Sequence, residues 1–173
     1  MITTNTLHNF SLVQKSLTQT ALLLSFCFVQ ISLNFLSFFF ISQPYLMIIF
    51  LYLLIRRSNN PPSFLILICM GMFYDLITGT HLGVHSFFFI LIKMLIYFYE
   101  ERLKLSKLYG EWILFSVVYL SSLFITKMIF IIVNFKLPDL NAISFNLGFT
   151  LLIFPLISFL IDLPKNFLNF VFK

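Results

Sequence analysis

Apolar residues fall along this chain in long blocks, and the short polar stretches between them carry most of its charge. A block of 18 or more apolar residues is long enough to cross ~30 Å of hydrocarbon as a helix. The first block runs from 17 to 41 and ends at "SQP", where a proline can open a helix but not continue one. "PYLMIIFLYLLIRR", 44–57, follows. It is short for a span, so it must borrow length from its flanks or thin the bilayer locally. "SNNPP", 58–62, is a loop. Further apolar segments occupy 63–78, 82–99, 109–133 and 143–161, separated by "EERLKLSK" and "NFKLPDLN". The polar residues 1–16 precede the first block, and the tail "KNFLNFVFK" is aromatic and basic, suited to the headgroup layer.

Composition turns this pattern into a class. Of 173 residues, 60% are hydrophobic and 10% charged, against about 25% charged in soluble domains. The chain is therefore expected to be an all-α integral membrane protein, one domain over 1–173, with six transmembrane helices in one bundle. Merging the first two segments gives five spans as the alternative. Twenty-five phenylalanines against two alanines restrict close helix contact to a few Gly and Ser positions, since small residues are what let membrane helices approach. Cys27 and Cys69 both fall inside spans and read as small core residues. The first apolar run lacks a small-x-small cleavage site and reads as a retained helix.

Charge placement then sets orientation. The net charge of +5 comes in short clusters beside apolar segments, not as a basic run facing an aromatic platform, so nucleic acid is not the expected partner. With six spans and a cytoplasmic N-terminus, Lys15, Arg56, Arg57, Arg102, Lys104, Lys107, Lys165 and Lys173 lie inside and only Lys136 outside, which satisfies the positive-inside rule. Both termini are then cytoplasmic.

One stretch concentrates polar and small residues inside the apolar background: "GMFYDLITGTHLGVHSF", 71–87. On this topology it joins the third and fourth helices on the extracytoplasmic side. Asp75 sits near the C-terminal end of the third helix, where partial negative charge makes a carboxylate unfavourable. Gly79 suits the left-handed position that closes a helix. Thr80 can cap the next helix, whose free N–H groups attract an anion. Gly71, one turn before Asp75, permits close approach of a neighbour. The competing reading is catalytic. His81 and His85 have the four-residue spacing of zinc ligands on a helix, but Leu82 stands where the zinc-protease pattern needs glutamate, and His8 lies far away in the polar N-terminus. No nucleophile–base set has clear spacing. The residues point to a structural turn with no catalysis, metal or cofactor.

The same stretch resembles the signature region of the rod shape-determining protein MreD, a bacterial inner-membrane family. Its pattern, a glycine four before an aspartate and then D-L-x-x-G-x-x-L-G, is met by Gly71, Asp75, Leu76, Gly79, Leu82 and Gly83. Pro44 and Pro155 fall where family members carry prolines, and length and span layout agree throughout. His81 departs from the pattern, standing where members often carry proline or a small polar residue. The resemblance implies a non-enzymatic subunit of the cell-elongation complex for peptidoglycan. Its implied partners are an MreC-like bitopic protein, with the actin-like MreB, the glycosyltransferase RodA and a penicillin-binding transpeptidase in the same machinery. The family is also similar to the six-helix S-components of energy-coupling-factor vitamin transporters, which leaves a small-molecule-binding subunit as the alternative. In that alternative, docking uses small-xxx-small pairs in the first helix, and here only Ala21 and Ser25 have that spacing.

Ionisable residues inside spans are costly and therefore candidates for a role. Asp75 and Lys127 lie at similar depth toward the outer side, and Lys93 and Glu111 toward the cytoplasmic side, so each is expected to pair. Gly79, Ser86, Lys93 and Glu100 recur every seven residues. This stripe suits the bundle interior or a partner helix, and it makes Ser86 and Lys93 the candidate partner face.

Overall fold

The computed structural model describes residues 4–35, 45–58, 60–102, 109–134 and 140–162, which form six α-helices and, among these residues, no strand. They are α1 (Thr4–Phe35), α2 (Leu46–Arg57), α3 (Phe64–Thr78), α4 (Val84–Arg102), α5 (Tyr109–Asn134) and α6 (Leu140–Asp162). The "SQP" break with Pro44, the 103–108 and 135–139 connections and the tail from 163 lie outside the described residues, and with them Lys104, Lys107, Lys136, Lys165 and Lys173.

Helix α1 starts at Thr4, well before the apolar run that begins at Leu17. Residues 4–16 contain no glycine or proline to break a helix, so the helix continues through this polar lead into the apolar run.

Each helix runs antiparallel to the next. At one end of the bundle, Gln19 of α1 donates to Ser58 just beyond α2, at 3.0 Å. At the other, Gln30 Oε1 accepts from the Met47 backbone N–H at the start of α2, at 3.4 Å. The same two levels recur in later pairs. The end of α2 meets Glu100 near the end of α4 and Glu111 at the start of α5, while the end of α3 meets the start of α4.

The short α2 is the centre of the molecule. All nine residues from Met47 to Ile55 are buried. A helix that is apolar on every face belongs in an interior, and this one packs against α1, α4 and α6. Its 12 residues span only ~18 Å, yet its apolar surface meets protein, so its length need not match the bilayer. Tyr52 contacts Phe115 of α5 and Phe154 of α6 edge-on, with centroids 5.1 and 5.6 Å apart. Phe115 and Phe154 stack at 4.1 Å, and Phe26 of α1 stacks on Phe50 at 3.7 Å. Ring packing thus supplies the dispersion contacts that small-residue seams supply in alanine-rich bundles.

The outside is apolar. Leu65, Leu76, Phe124, Ile132, Leu152 and Phe159 are each more than 60% exposed. Two helices, over Gly110–Ile129 and Ile143–Ile161, are long and apolar enough to cross a membrane, and only 28% and 11% of those stretches are buried. Apolar helices that turn their surface outward are unlike the core helices of a soluble domain.

Pro155 stands inside α6. Proline has no N–H to give the carbonyl four residues back, which leaves Leu151 short of its helical donor. The single tryptophan of the chain fills the place: the Trp112 indole N–H donates to the Leu151 carbonyl at 3.0 Å. One side chain of α5 thereby repairs the break in α6 and ties the two helices together.

Candidate functional site

The stretch from Gly71 to Ser86 forms one tightly bonded unit at the end of the bundle where α3 turns into α4. Helix α3 closes at Gly79, whose φ of 67° is left-handed, and the Gly79 and Thr80 N–H groups both return to the Asp75 carbonyl. Gly83, with φ of 96°, is a second backbone position that disfavours any side chain. It is placed just before α4, where its carbonyl accepts the first helical bond, from Phe87 at 2.8 Å.

Asp75 is fully buried, and its carboxylate holds the turn together. Oδ2 accepts from the Gly83 N–H at 2.7 Å. Oδ1 accepts from the Thr80 hydroxyl at 2.8 Å and the His85 N–H at 3.3 Å, and it lies 2.5 Å from His85 Nδ1. The carboxylate therefore caps α4 from the end of α3. A negative charge misplaced at one helix C-terminus is compensated by lying at the N-terminus of the next. Thr80 was expected to cap α4 itself. It instead bonds the carboxylate that does so, because Gly83 holds the capping place and Thr80 lies three residues earlier.

Below the turn, α3 and α4 touch at backbone distance. A Cβ added to Gly71 would collide with the Ser86 backbone, and the Ser86 hydroxyl donates to the Ile68 carbonyl at 2.9 Å. Leu76 and Leu82 are exposed and line the outer surface beside the turn. Of the six motif residues, Gly71, Asp75, Gly79 and Gly83 shape the hairpin from within.

The histidines divide. His81 is exposed within the turn and precedes α4, so the four-residue spacing does not put both rings on one helical face. His85 points into the hairpin, against the Asp75 carboxylate and edge-on to the Tyr74 ring, with centroids 4.6 Å apart. Its role was missed in the sequence. The available signal was a second polar residue at the start of α4, on the side where Asp75 must find a donor.

The expected charge pairs are rearranged. Asp75 pairs with His85, which takes the place expected of Lys127. Lys127 of α5 lies close enough for its charge to act on His85, while the direct partner of Asp75 is His85. Glu111 pairs with Arg57, at 2.9 Å, and not with Lys93. The Lys93 ammonium reaches along α4 to the Pro62 carbonyl at 2.6 Å and lies over the Phe64 ring, 4.3 Å from its centroid. Ser86 and Lys93 are both buried against α3 and its leading loop, so the middle of the stripe turns inward while Gly79 and Glu100 at its ends are exposed, and Ser86 and Lys93 form no partner face.

At the opposite end, Arg56, Arg57 and Ser58 gather four helices. Arg56 pairs with Glu100 of α4. Arg57 also donates to Ser158 of α6 at 2.8 Å, besides Glu111 of α5. Ser58 accepts from Gln19 of α1, and Gln19 donates as well to the Asn60 carbonyl at 2.6 Å. These arginines answer acidic residues within the protein.

Compared with known proteins, the chain matches no family model, no curated sequence and no solved structure.

Proposed function

We propose that this protein is a non-enzymatic scaffold or regulatory subunit of a bacterial cell-elongation complex, similar to the MreD family and partnering an MreC-like bitopic protein. In this reading it crosses the cytoplasmic membrane six times with both termini inside, and it meets MreB, RodA and a penicillin-binding transpeptidase in the same machinery. The observation that carries the proposal is the use made of Asp75. Its carboxylate is engaged by four donor groups of its own hairpin, so the polar residues of the motif serve architecture. The up-down order of six helices supports the six-span reading, as do Arg56, Arg57 and Arg102 at a single end. Exposed Tyr97 and Trp112 flank that end as interfacial aromatics do.

Mild-detergent purification of the tagged protein from its native membrane, with mass spectrometry of proteins and small molecules, tests the proposal. Recovery of an MreC-like protein with cell-wall synthases is the expected result. Recovery of a transporter energy-coupling module with a bound vitamin would overturn it.

A further inference from the structure

The N-termini of α3 and α4 are treated in opposite ways. The start of α4 receives the Asp75 carboxylate, the charge that a helix N-terminus favours. The first turn of α3 holds no acidic residue. What arrives there is a cation. Lys93 of α4 is 6% exposed, and its ammonium donates to the Pro62 carbonyl at 2.6 Å and lies 4.3 Å from the centroid of the Phe64 ring. Pro62 and Phe64 flank Ser63, the N-cap of α3.

Neither positive charge is answered by an anion of the described residues. Asp75, Glu100 and Glu111 go to His85, Arg56 and Arg57, and none of them pairs with Lys93. One carbonyl occupies only one of the three ammonium N–H groups, and a buried ion without a counter-charge is costly, above all inside a membrane. The helix end adds further donors. The Ser63 hydroxyl accepts from the Ile66 N–H and the Ser63 carbonyl from Leu67, which leaves Phe64 and Leu65 with the orphan N–H groups of a first turn. Ser63, Phe64 and Leu65 are exposed, so this end of α3 is open to a ligand. An ammonium beside free helical N–H groups is a donor set suited to phosphate.

We propose that the start of α3, with the Lys93 ammonium and the Phe64 and Leu65 amides, binds a phosphate group, carried at this level of the membrane by an anionic phospholipid. The site lies at the end of the bundle that carries Arg56, Arg57 and Arg102. In the six-span reading this is the cytoplasmic leaflet, where basic groups between helices meet anionic headgroups. Tyr97, one turn beyond Lys93 and 45% exposed, stands near this level as interfacial aromatics do. Exposed Phe64 and Leu65 offer apolar surface to the acyl chains. The inference rests on membrane placement and not on any partner protein, so it can fail while the scaffold reading stands.

The test adds phosphatidylglycerol to the full-length protein in uncharged maltoside micelles and reads the melting temperature and the lipid retained in native mass spectrometry. Diacylglycerol, with tails but no phosphate, and inorganic phosphate, with no tails, are the comparisons. Phosphatidylglycerol is expected to raise the melting temperature and remain as a single adduct, and diacylglycerol to do neither. Lys93→Met keeps the apolar stem and removes the charge, and should weaken lipid binding roughly tenfold, the worth of one hydrogen bond to a charged group. Phe64→Pro is the second variant, used if Lys93→Met does not fold. Proline is tolerated at a first helical position, and the extended Ser63 backbone before it is compatible. It removes one amide and the ring without breaking α3, and should weaken binding too. Arg102→Met, at an exposed cation of the same end, should leave binding unchanged. Stabilisation by inorganic phosphate equal to that by the lipid would support the phosphate site, with a soluble phosphate ester as its source. Lipid binding indifferent to both Lys93→Met and Phe64→Pro would overturn the proposal, as would equal stabilisation by diacylglycerol or none by either phosphate.

Discussion

Replacing Asp75 with asparagine keeps the size of the side chain and removes its charge. The native carboxylate serves four donors with two oxygens: Gly83 on one, and Thr80 with the His85 N–H and ring on the other. Asparagine offers one oxygen and an amide that is itself a donor. If its oxygen stays with Thr80 and His85, the amide faces the Gly83 N–H, and that bond is lost with its donor left unsatisfied. If the side chain flips, Gly83 is served and the His85 N–H is opposed. A hydrogen bond to a charged group contributes about 1.5–3 kcal/mol, and an unsatisfied buried donor costs about 1–3 kcal/mol. One bond lost and the others weakened give a destabilisation of roughly 3–4 kcal/mol. That is a large share of the 5–15 kcal/mol by which proteins are typically stable. Thermal unfolding of the purified protein, with its abundance in the native membrane, measures this. Both should fall together. Unchanged stability and abundance with loss of partner capture in the mild-detergent purification would refute the argument and make Asp75 a functional group in its own right.

Two glycines should rank in an order that the backbone dictates. Gly71→Ala drives a methyl into the Ser86 backbone and should cost about 1–3 kcal/mol, whereas Gly79→Ala meets open space and costs only its left-handed strain, about 1–2 kcal/mol; melting temperatures that place Gly79→Ala lower would contradict this. Trp112→Phe should destabilise by about 1 kcal/mol by freeing the Leu151 carbonyl, and much less in a Pro155→Ala background, where residue 155 again supplies an N–H. A double-mutant cycle without coupling would exclude the repair role of Trp112. Arg57→Ala should cost about 2–3 kcal/mol, because it releases α5 and α6 together. Arg56→Ala, which breaks a more exposed pair, should cost at most about 1 kcal/mol, with strong dependence on salt; equal losses would argue against Arg57 as a junction.

Much of this protein was written locally. Block length and charge content predicted six helices within a few residues of their observed limits from α2 onward, because helix formation and helix breaking depend on neighbours in sequence. The 71–83 turn was legible for the same reason. A left-handed closing residue, a carboxylate needing a donor and a glycine for close approach are all requirements of consecutive backbone.

Choices between helices were settled by tertiary structure. Depth along each helix can be estimated from the chain at 1.5 Å per residue, which is how Lys127 and Asp75 came to be considered together. Rotation about each helix axis cannot, and rotation decides which of several groups at a level actually meets which. It gave His85 to Asp75 and Arg57 to Glu111, and it turned Ser86 and Lys93 inward. Burial of α2 likewise depends on the helices around it, α1, α4, α5 and α6, so its short apolar sequence read as a strained span when it is the centre of the bundle. The bond from Trp112 to the Leu151 carbonyl exposed by Pro155 joins residues 39 positions apart. Spacing along the chain fixes what each helix must satisfy, and the packing of the others decides which side chain satisfies it.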